Sequence, residues 1–261
     1  YDEDVISAAG AYVAVPDKGM HKWIGSMDLN SLYPSILRSC NMSTETIVGQ
    51  VRHTLTNEMI SGYKSVSDAW DGKFATPEYE LVMERDKVTM LQVDFEDGTT
   101  FEATGAEIYD IIFLGGMPWI FSANATIFSY EKKGVIPGLL ERWYAERKEL
   151  QAKARAARDE GGDKFAFWDK RQLVKKINLN SLYGALLNPG SRFFDSRLGQ
   201  STTLTGRCIA RHMAGAVNEV ITGEHHYKGD SIIYGDTDSV YFSAYPMLED
   251  QIKSGEIKWD K

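Results

Sequence analysis

The apolar and polar positions divide the chain into three stretches. In the first, His21–Asp28 is rich in Trp, Ile and Met with little alternation, and reads as a buried strand; Leu32–Arg38 follows as a short helix. Thr89–Phe95 and Thr99–Thr104 flank Glu96-Asp97-Gly98, which predicts a hairpin because Asp-Gly tolerates positive φ. Gly115, Gly116 and Pro118 then interrupt any regular element. The middle stretch changes period. Leu139–Arg158 is full of Leu, Glu, Lys, Arg and Ala, strong helix formers, and Gly161-Gly162 ends that helix. A second helix is predicted from Asp163 to Leu187, closed by Pro189-Gly190. Two helices of about 20 residues joined by a Gly-Gly turn make an antiparallel pair about 30 Å long. In the last stretch a helix is predicted over Leu204–Ile221. Ser231–Tyr234 and Ser239–Phe242 then form a hairpin around a Gly-Asp-Thr-Asp turn. Strands on both sides of a helical block predict an α+β fold.

Composition narrows the picture by exclusion. The chain has 261 residues, 43% hydrophobic and 25% charged, enough for one large domain or two smaller ones with a real core. No apolar run approaches the roughly 18 residues of a membrane span, and no signal peptide opens the sequence. Cys40 and Cys208 lie far apart without CxxC spacing, which argues against a disulfide framework or zinc cluster and fits a reducing compartment. The sequence opens on Tyr1 rather than Met, as expected for a piece of a longer protein.

Net charge is -8, which excludes a uniformly basic nucleic-acid packager. The charge is uneven, however. Residues 1–130 carry net -11, residues 131–176 net +5, and residues 177–261 net -2. The basic block coincides with the two long helices.

Three clusters could carry chemistry. Asp28 ends an apolar strand and is followed by Leu29-Asn30-Ser31-Leu32-Tyr33-Pro34. A carboxylate there suits a hard cation, since Mg²⁺ takes one or two carboxylates and leaves room for phosphates. The N–H groups from Ser31 to Tyr33 could cradle anionic oxygens at a strand-to-helix turn. Equally, Asp28 could be an N-cap and Tyr33 a core aromatic. In Tyr234-Gly235-Asp236-Thr237-Asp238-Ser239, two like charges sit in a tight turn between apolar strands; a divalent cation relieves their repulsion. A plain solvated turn also fits. Gln172, Lys176, Asn180 and Tyr183 share one stripe of the second long helix, and Arg147 on its partner adds a phosphate fork. Here too an exposed polar helix face is the simpler alternative.

Taken in order, Asp28-Leu-Asn-Ser-Leu-Tyr-Pro-Ser-Ile, Lys176-x-x-x-Asn180-Ser-Leu-Tyr183-Gly184 and Tyr234-Gly-Asp-Thr-Asp238-Ser resemble motifs A, B and C of family B DNA polymerases. Asn180-Ser-Leu-Tyr-Gly-Ala-Leu and Met42-Ser-Thr-Glu-Thr-Ile are most similar to the replicative polymerases of large tailed phages. The resemblance covers about Gly10 to Phe242. It implies a palm, an antiparallel sheet with packed helices, formed by residues 1–130 and 188–261. It implies two-helix antiparallel fingers over residues 131–187. Asp28 and Asp238 would hold two Mg²⁺ ions, with Mn²⁺ as a substitute; Asp236 and Leu29 complete the metal neighbourhood. Lys176, Asn180 and Arg147 would grip the triphosphate, and Lys176 would protonate the pyrophosphate. Ser31, Leu32 and Tyr33 would bind the dNTP, with Tyr33 excluding a 2′-OH. Tyr183 and Gly184 would line the nascent base pair.

The implied partners are primer-template DNA, dNTPs, the exonuclease, N-terminal and thumb domains in the same or a separate chain, and a sliding clamp. A phage-encoded protein in the cytoplasm of a host cell, with no membrane contact, is expected. One position departs from the pattern. A second basic residue often follows the fingers Arg by one turn, where this sequence has Gln151, and Lys153 lies on another face. Val93-Asp94-Phe95-Glu96 superficially resembles an exonuclease Asp-x-Glu, but it falls inside the hairpin. The rival to a template-directed polymerase is a non-catalytic DNA-binding subunit or inactive fragment of a split polymerase. An RNA polymerase or nucleotidyl cyclase is a third reading, disfavoured by Tyr33 and the Lys176–Gly184 motif.

Overall fold

The computed structural model describes residues 10–51, 87, 88, 90–160 and 163–257. In chain order the elements are β1 (Ile24–Asp28), α1 (Leu32–Ser39), β2 (Ile47–Val51), β3 (Met90–Phe95), β4 (Thr100–Thr104), α2 (Gly105–Tyr109), β5 (Trp119–Phe121) and β6 (Thr126–Ser129). Then come α3 (Val135–Glu160), α4 (Asp163–Leu186), α5 (Ser196–Thr222), β7 (Ile232–Asp236), β8 (Ser239–Ser243) and α6 (Tyr245–Lys253). The fold is α+β, as expected. The strands form two antiparallel sheets, one in the order β1-β8-β7 and one in the order β4-β3-β2-β6-β5.

The hairpin at Glu96-Asp97-Gly98 is present, and Gly98 supplies its positive φ of 84°. Asp94 lies in β3 of this hairpin. Elements at Ile47–Val51, Trp119–Phe121, Thr126–Ser129 and Tyr245–Lys253 have no counterpart in the sequence expectations. The expected buried strand at His21–Asp28 is corrected in two ways. The strand begins at Ile24, and most of it is exposed. It is the edge of the three-stranded sheet, paired only with β8 among the described residues, so Ile24 and Met27 keep open faces.

Helices α3 and α5 are longer than their sequence pattern suggests, whereas α4 ends within one residue of its expected span. Pro137 lies inside the first turn of α3, where its missing N–H costs nothing. The expected Gly161-Gly162 turn lies outside the described residues. Helix α5 begins eight residues before the expected Leu204 because Asp195 caps it, accepting from the Arg197 N–H at 2.9 Å. The run Ser201-Thr202-Thr203 disguises that start, since these residues are weak helix formers. In the structure Thr202 and Thr203 donate back to the carbonyls of Leu198 and Gly199 at 2.9 and 3.0 Å, and all three are buried.

Two cores flank α5. One joins β2, β3, β6 and α2 through Val51, Leu91, Val93, Ile108 and Ile127. The other joins α1 to the bases of α3 and α4 through Leu37, Met42, Phe128, Leu140, Leu179 and Leu186. Truncating one such fully buried Leu to Ala costs about 2–5 kcal/mol. The start of α3 is fixed by side chains far away in sequence. Asn41 Oδ1 accepts from the Gly134 N–H at 2.9 Å, Glu45 Oε1 from Val135 at 2.5 Å and Ser43 Oγ from Ile136 at 3.4 Å. Three donors that a helix start leaves unpaired are thereby satisfied. No helix among the described residues is long and apolar enough to cross a membrane.

Candidate active site

The three-stranded sheet sets the carboxylates. Asp28 is the last residue of β1 and stands opposite Ser239 of β8; Asp236, the last residue of β7, stands opposite the same Ser239 from the other side. Neighbouring strands lie about 4.8 Å apart, so the two carboxylates flank one serine. Asp238 sits in the Thr237-Asp238 turn between β7 and β8. Thr237 takes a φ of 53°, and its N–H donates to the Tyr12 carbonyl at 2.8 Å, which secures the turn against the segment running beside β7. The Leu29 N–H donates to the Asp238 carbonyl at 2.7 Å. This bond joins the end of β1 directly to the turn.

Electrostatics follow from that crowding. Burial raises the Asp238 carboxyl above its ordinary range, and the charges of Asp28 and Asp236 push it further the same way. None of the three carboxylates is in an ion pair among the described residues. Nor do three His, Cys, Asp or Glu side chains among those residues converge as a self-sufficient metal cage. The site therefore has excess negative charge but an incomplete donor set. That combination suits Mg²⁺, which binds one or two carboxylates and completes its shell with phosphate and water.

After β1 the chain turns sharply. Ser31 adopts the left-handed conformation, φ 55° and ψ 53°, and caps α1 through its backbone, with its carbonyl accepting from the Ser35 N–H at 2.9 Å. Asp28 is not the cap residue of α1. Leu32 is buried and anchors α1, which leaves its side chain a packing role. Tyr33 is half-buried and packs against Tyr183 of α4, ring centroids 4.6 Å apart and planes inclined by 48°. The Tyr33 phenol is pushed up to about 12, first by burial, then by Tyr183 and Asp238, against the opposing charge of Arg207. The first, second and third sequence clusters thus meet at Tyr33.

The helix-borne residues divide. Tyr183 bonds through its hydroxyl to Thr203 of α5, and burial raises its pKa against that bond. Gly184 is exposed, and a Cβ there would meet no protein atom within 4 Å, so the surface beside Tyr183 stays open without any packing demand. Lys176 and Asn180 are exposed and make no hydrogen bond or ion pair among the described residues. Gln172 faces the partner helix. Its Oε1 accepts from Arg147 Nε at 3.3 Å and from Gln151 Nε2 at 3.5 Å, and its Nε2 donates to Asp169 at 3.0 Å. Gln172 is therefore a bracket between α3 and α4 that holds Arg147. Lys153 lies over the Trp168 ring at 5.1 Å. Lys175, next to Lys176, pairs with Glu146 across the helices.

Residues of α5 escaped the sequence reading. Thr203 holds Tyr183, Gly206 backs Tyr33, and Arg207 has a buried Nε with no hydrogen-bond partner among the described residues. A glycine inside a long helix was the available signal. The expected helix began at Leu204, so Thr203 fell outside it.

A model of DNA polymerase family B matches residues 2–254. The chain is 28% identical to a DNA-directed DNA polymerase of Escherichia phage RB69, over 96% of this chain and 28% of that protein. It is 30% identical to a DNA-directed DNA polymerase of Enterobacteria phage T4, over 93% of this chain and 27% of that protein. A DNA polymerase of Trichoplusia ni ascovirus 2c is 22% identical over 95% of the chain and 29% of that protein. The chain spans less than a third of the length of these relatives.

Proposed function

Because the chain belongs to DNA polymerase family B, we propose that it is the palm-and-fingers part of a template-directed DNA polymerase that adds dNTPs to a primer 3′ end. In this reading residues 1–130 and 188–261 form the palm and residues 131–187 the fingers. The observation that carries it is the meeting of three distant segments. Asp28 ends β1, Asp236 and Asp238 border the β7–β8 turn, and Tyr33 packs on Tyr183 beside them.

The chemistry assigned to the residues is positioning and charge management. Asp28 and Asp238 hold the cations, with Asp236 and the Leu29 backbone alongside. Two Mg²⁺ ions, or Mn²⁺ in their place, supply when bound the neutralisation of charge on the attacking 3′ oxygen and the leaving pyrophosphate. Lys176, Asn180 and Arg147 hold the triphosphate, and Gln172 keeps Arg147 in place. The exposed Lys176 ammonium hands a proton to the pyrophosphate oxygen as it leaves. Ser31 and Leu32 border the triphosphate through their backbone, Tyr33 lies under the sugar, and Tyr183 with Gly184 borders the new base pair. Primer-template DNA, the remaining polymerase domains and a sliding clamp are the proposed partners.

Primer extension with Mg²⁺ and dNTPs, using this chain together with the remaining domains, tests the reading. Extension that disappears in Asp28→Ala and Asp238→Ala supports it. DNA binding without extension in the presence of those domains rejects it in favour of a non-catalytic subunit.

A further inference from the structure

Gly206 lies well inside the 27-residue helix α5 and is buried. Glycine is a poor choice in a helix interior, so its presence asks for a packing reason. A Cβ at this position would lie 2.8 Å from Tyr33 Cε1, and 3.4 Å from both Tyr33 Cδ1 and Ile36 Cδ1. The bare backbone of α5 is thus the surface on which the Tyr33 ring rests. The other buried glycines of α5 meet other side chains, Gly199 meeting Leu187 and Gly215 meeting His225. Gly206 meets the aromatic ring that joins α1 to α4.

One turn earlier on the same helix, Thr203 bonds the Tyr183 hydroxyl. Helix α5 therefore positions both members of the Tyr33–Tyr183 pair, one through a hydroxyl and the other through the absence of a side chain. Tyr33 is also pinned from the other direction. Pro34, Ile36 and Leu37 of its short helix are buried, so α1 cannot retreat as a unit without opening the core. A methyl group at position 206 must move the ring itself.

We propose that Gly206 is a positioning residue that sets the depth of the Tyr33 ring, and with it the room for the sugar of the incoming nucleotide. The inference rests on the polymerase reading, in which Tyr33 lies under that sugar. Position 206 thereby contributes to sugar discrimination without touching the nucleotide.

The test uses the intact polymerase that carries this chain, with steady-state incorporation of one dNTP and its rNTP counterpart. Gly206→Ala drives the ring toward the sugar. The expected result is a KM for the dNTP raised about tenfold with kcat changed less, and a changed ratio of dNTP to rNTP kcat/KM. In a Tyr33→Ala background the same substitution no longer shifts KM, because the methyl meets vacated space. An unchanged KM and ratio in the Tyr33 protein, or an equal effect in both backgrounds, overturns the proposal. If Gly206→Ala alone fails to fold, Tyr33→Ala restores folding when the ring is the obstacle, and failure to restore it overturns the proposal. A parent enzyme that extends no primer counts against the polymerase reading instead. The coupling of the two substitutions in melting temperature still reads the packing.

Discussion

The Leu29 N–H donates to the Asp238 carbonyl at 2.7 Å, so the residue after the first carboxylate is bonded to the residue bearing the third. The spacing of Asp28 and Asp238 is therefore set by main chain, and side-chain substitutions at either position leave the frame standing.

It follows that Asp238→Asn separates activity from stability. Primer extension falls by about 10²–10³-fold or more, since a charge that offsets the reacting phosphate is lost. The melting temperature in metal-free buffer rises, because a partly buried carboxylate whose pKa is raised by burial and by Asp28 and Asp236 no longer has to be charged. Adding Mg²⁺ raises the melting temperature of the parent chain and not that of Asp28→Asn/Asp238→Asn. Calorimetry with and without Mg²⁺ checks both statements, and a metal response retained in the double variant contradicts the carboxylate assignment.

Lys175 and Lys176 are adjacent and have opposite tasks. Lys175→Ala removes the pair with Glu146 and costs at most about 1 kcal/mol of stability, with little change in the dNTP KM. Lys176→Ala leaves stability unchanged, since Lys176 has no ion pair among the described residues, and raises the dNTP KM or lowers kcat about tenfold or more. Paired melting curves and incorporation kinetics decide it. Reversed phenotypes rule out the phosphate role.

Glu45 makes the base of α3 sensitive to acid. Burial opposes its ionisation, but hydrogen bonds from Ser43, from the Val135 N–H and from Thr44 outweigh burial and hold the carboxyl below its ordinary range. A depressed folded-state pKa contributes stability that is present above the unfolded pKa and lost as pH falls through the folded one. Glu45→Gln therefore costs about 1 kcal/mol near neutral pH, and the difference from the parent vanishes in acid. Urea unfolding across pH 3–7 measures it; a difference that persists undiminished at the acid end refutes the assignment.

Asn218 joins the end of α5 to the strand that carries Asp236. Its Oδ1 accepts from the Ser231 N–H and hydroxyl at 3.1 and 2.7 Å, and its Nδ2 donates to Thr222 Oγ1 and the Glu224 carbonyl at 3.1 and 2.8 Å. Both Asn218 and Ser231 are buried. Asn218→Ala leaves the Ser231 donors unpaired and costs about 3 kcal/mol. Thermal unfolding with the loss confined to below 1 kcal/mol would show that water replaces the amide.

The sequence disclosed the parts of this molecule with strong local signals. Asp97-Gly98 announced its hairpin, the Ala-, Glu- and Arg-rich run announced α3, and the apolar flanks of Asp236 and Asp238 announced β7 and β8. What stayed hidden depends on contacts distant in sequence. The strand Ile47–Val51 is defined by pairing with Met90–Phe95 on one side and Thr126–Ser129 on the other, and no local period reports that. The start of α5 was concealed because Ser201, Thr202 and Thr203 are weak helix formers whose hydroxyls find partners only in the fold, Thr202 and Thr203 on carbonyls of the helix and Ser201 on Ser122 and Asn124. The candidate carboxylates, Lys176, Asn180, Tyr33 and Tyr183 were legible from motif order. The α5 residues that hold the two tyrosines were not, because a glycine and a threonine declare a role only when the ring they serve lies against them.

The three bonds at the base of α3 have a mechanical meaning. Asn41, Ser43 and Glu45 grip its first turn, and Arg38 lies over Tyr144 at 4.5 Å a little further along. Beyond that point the 26-residue helix runs on beside α4, for a total length of about 39 Å. It is an arm held at its base, where Ile136 and Leu140 enter the core shared with α1. A tilt of about 10° at the base carries the tip about 7 Å, while Arg147, roughly midway, travels about half as far. Any tilt at the base would therefore displace the cationic side chains in proportion to their distance along the helix.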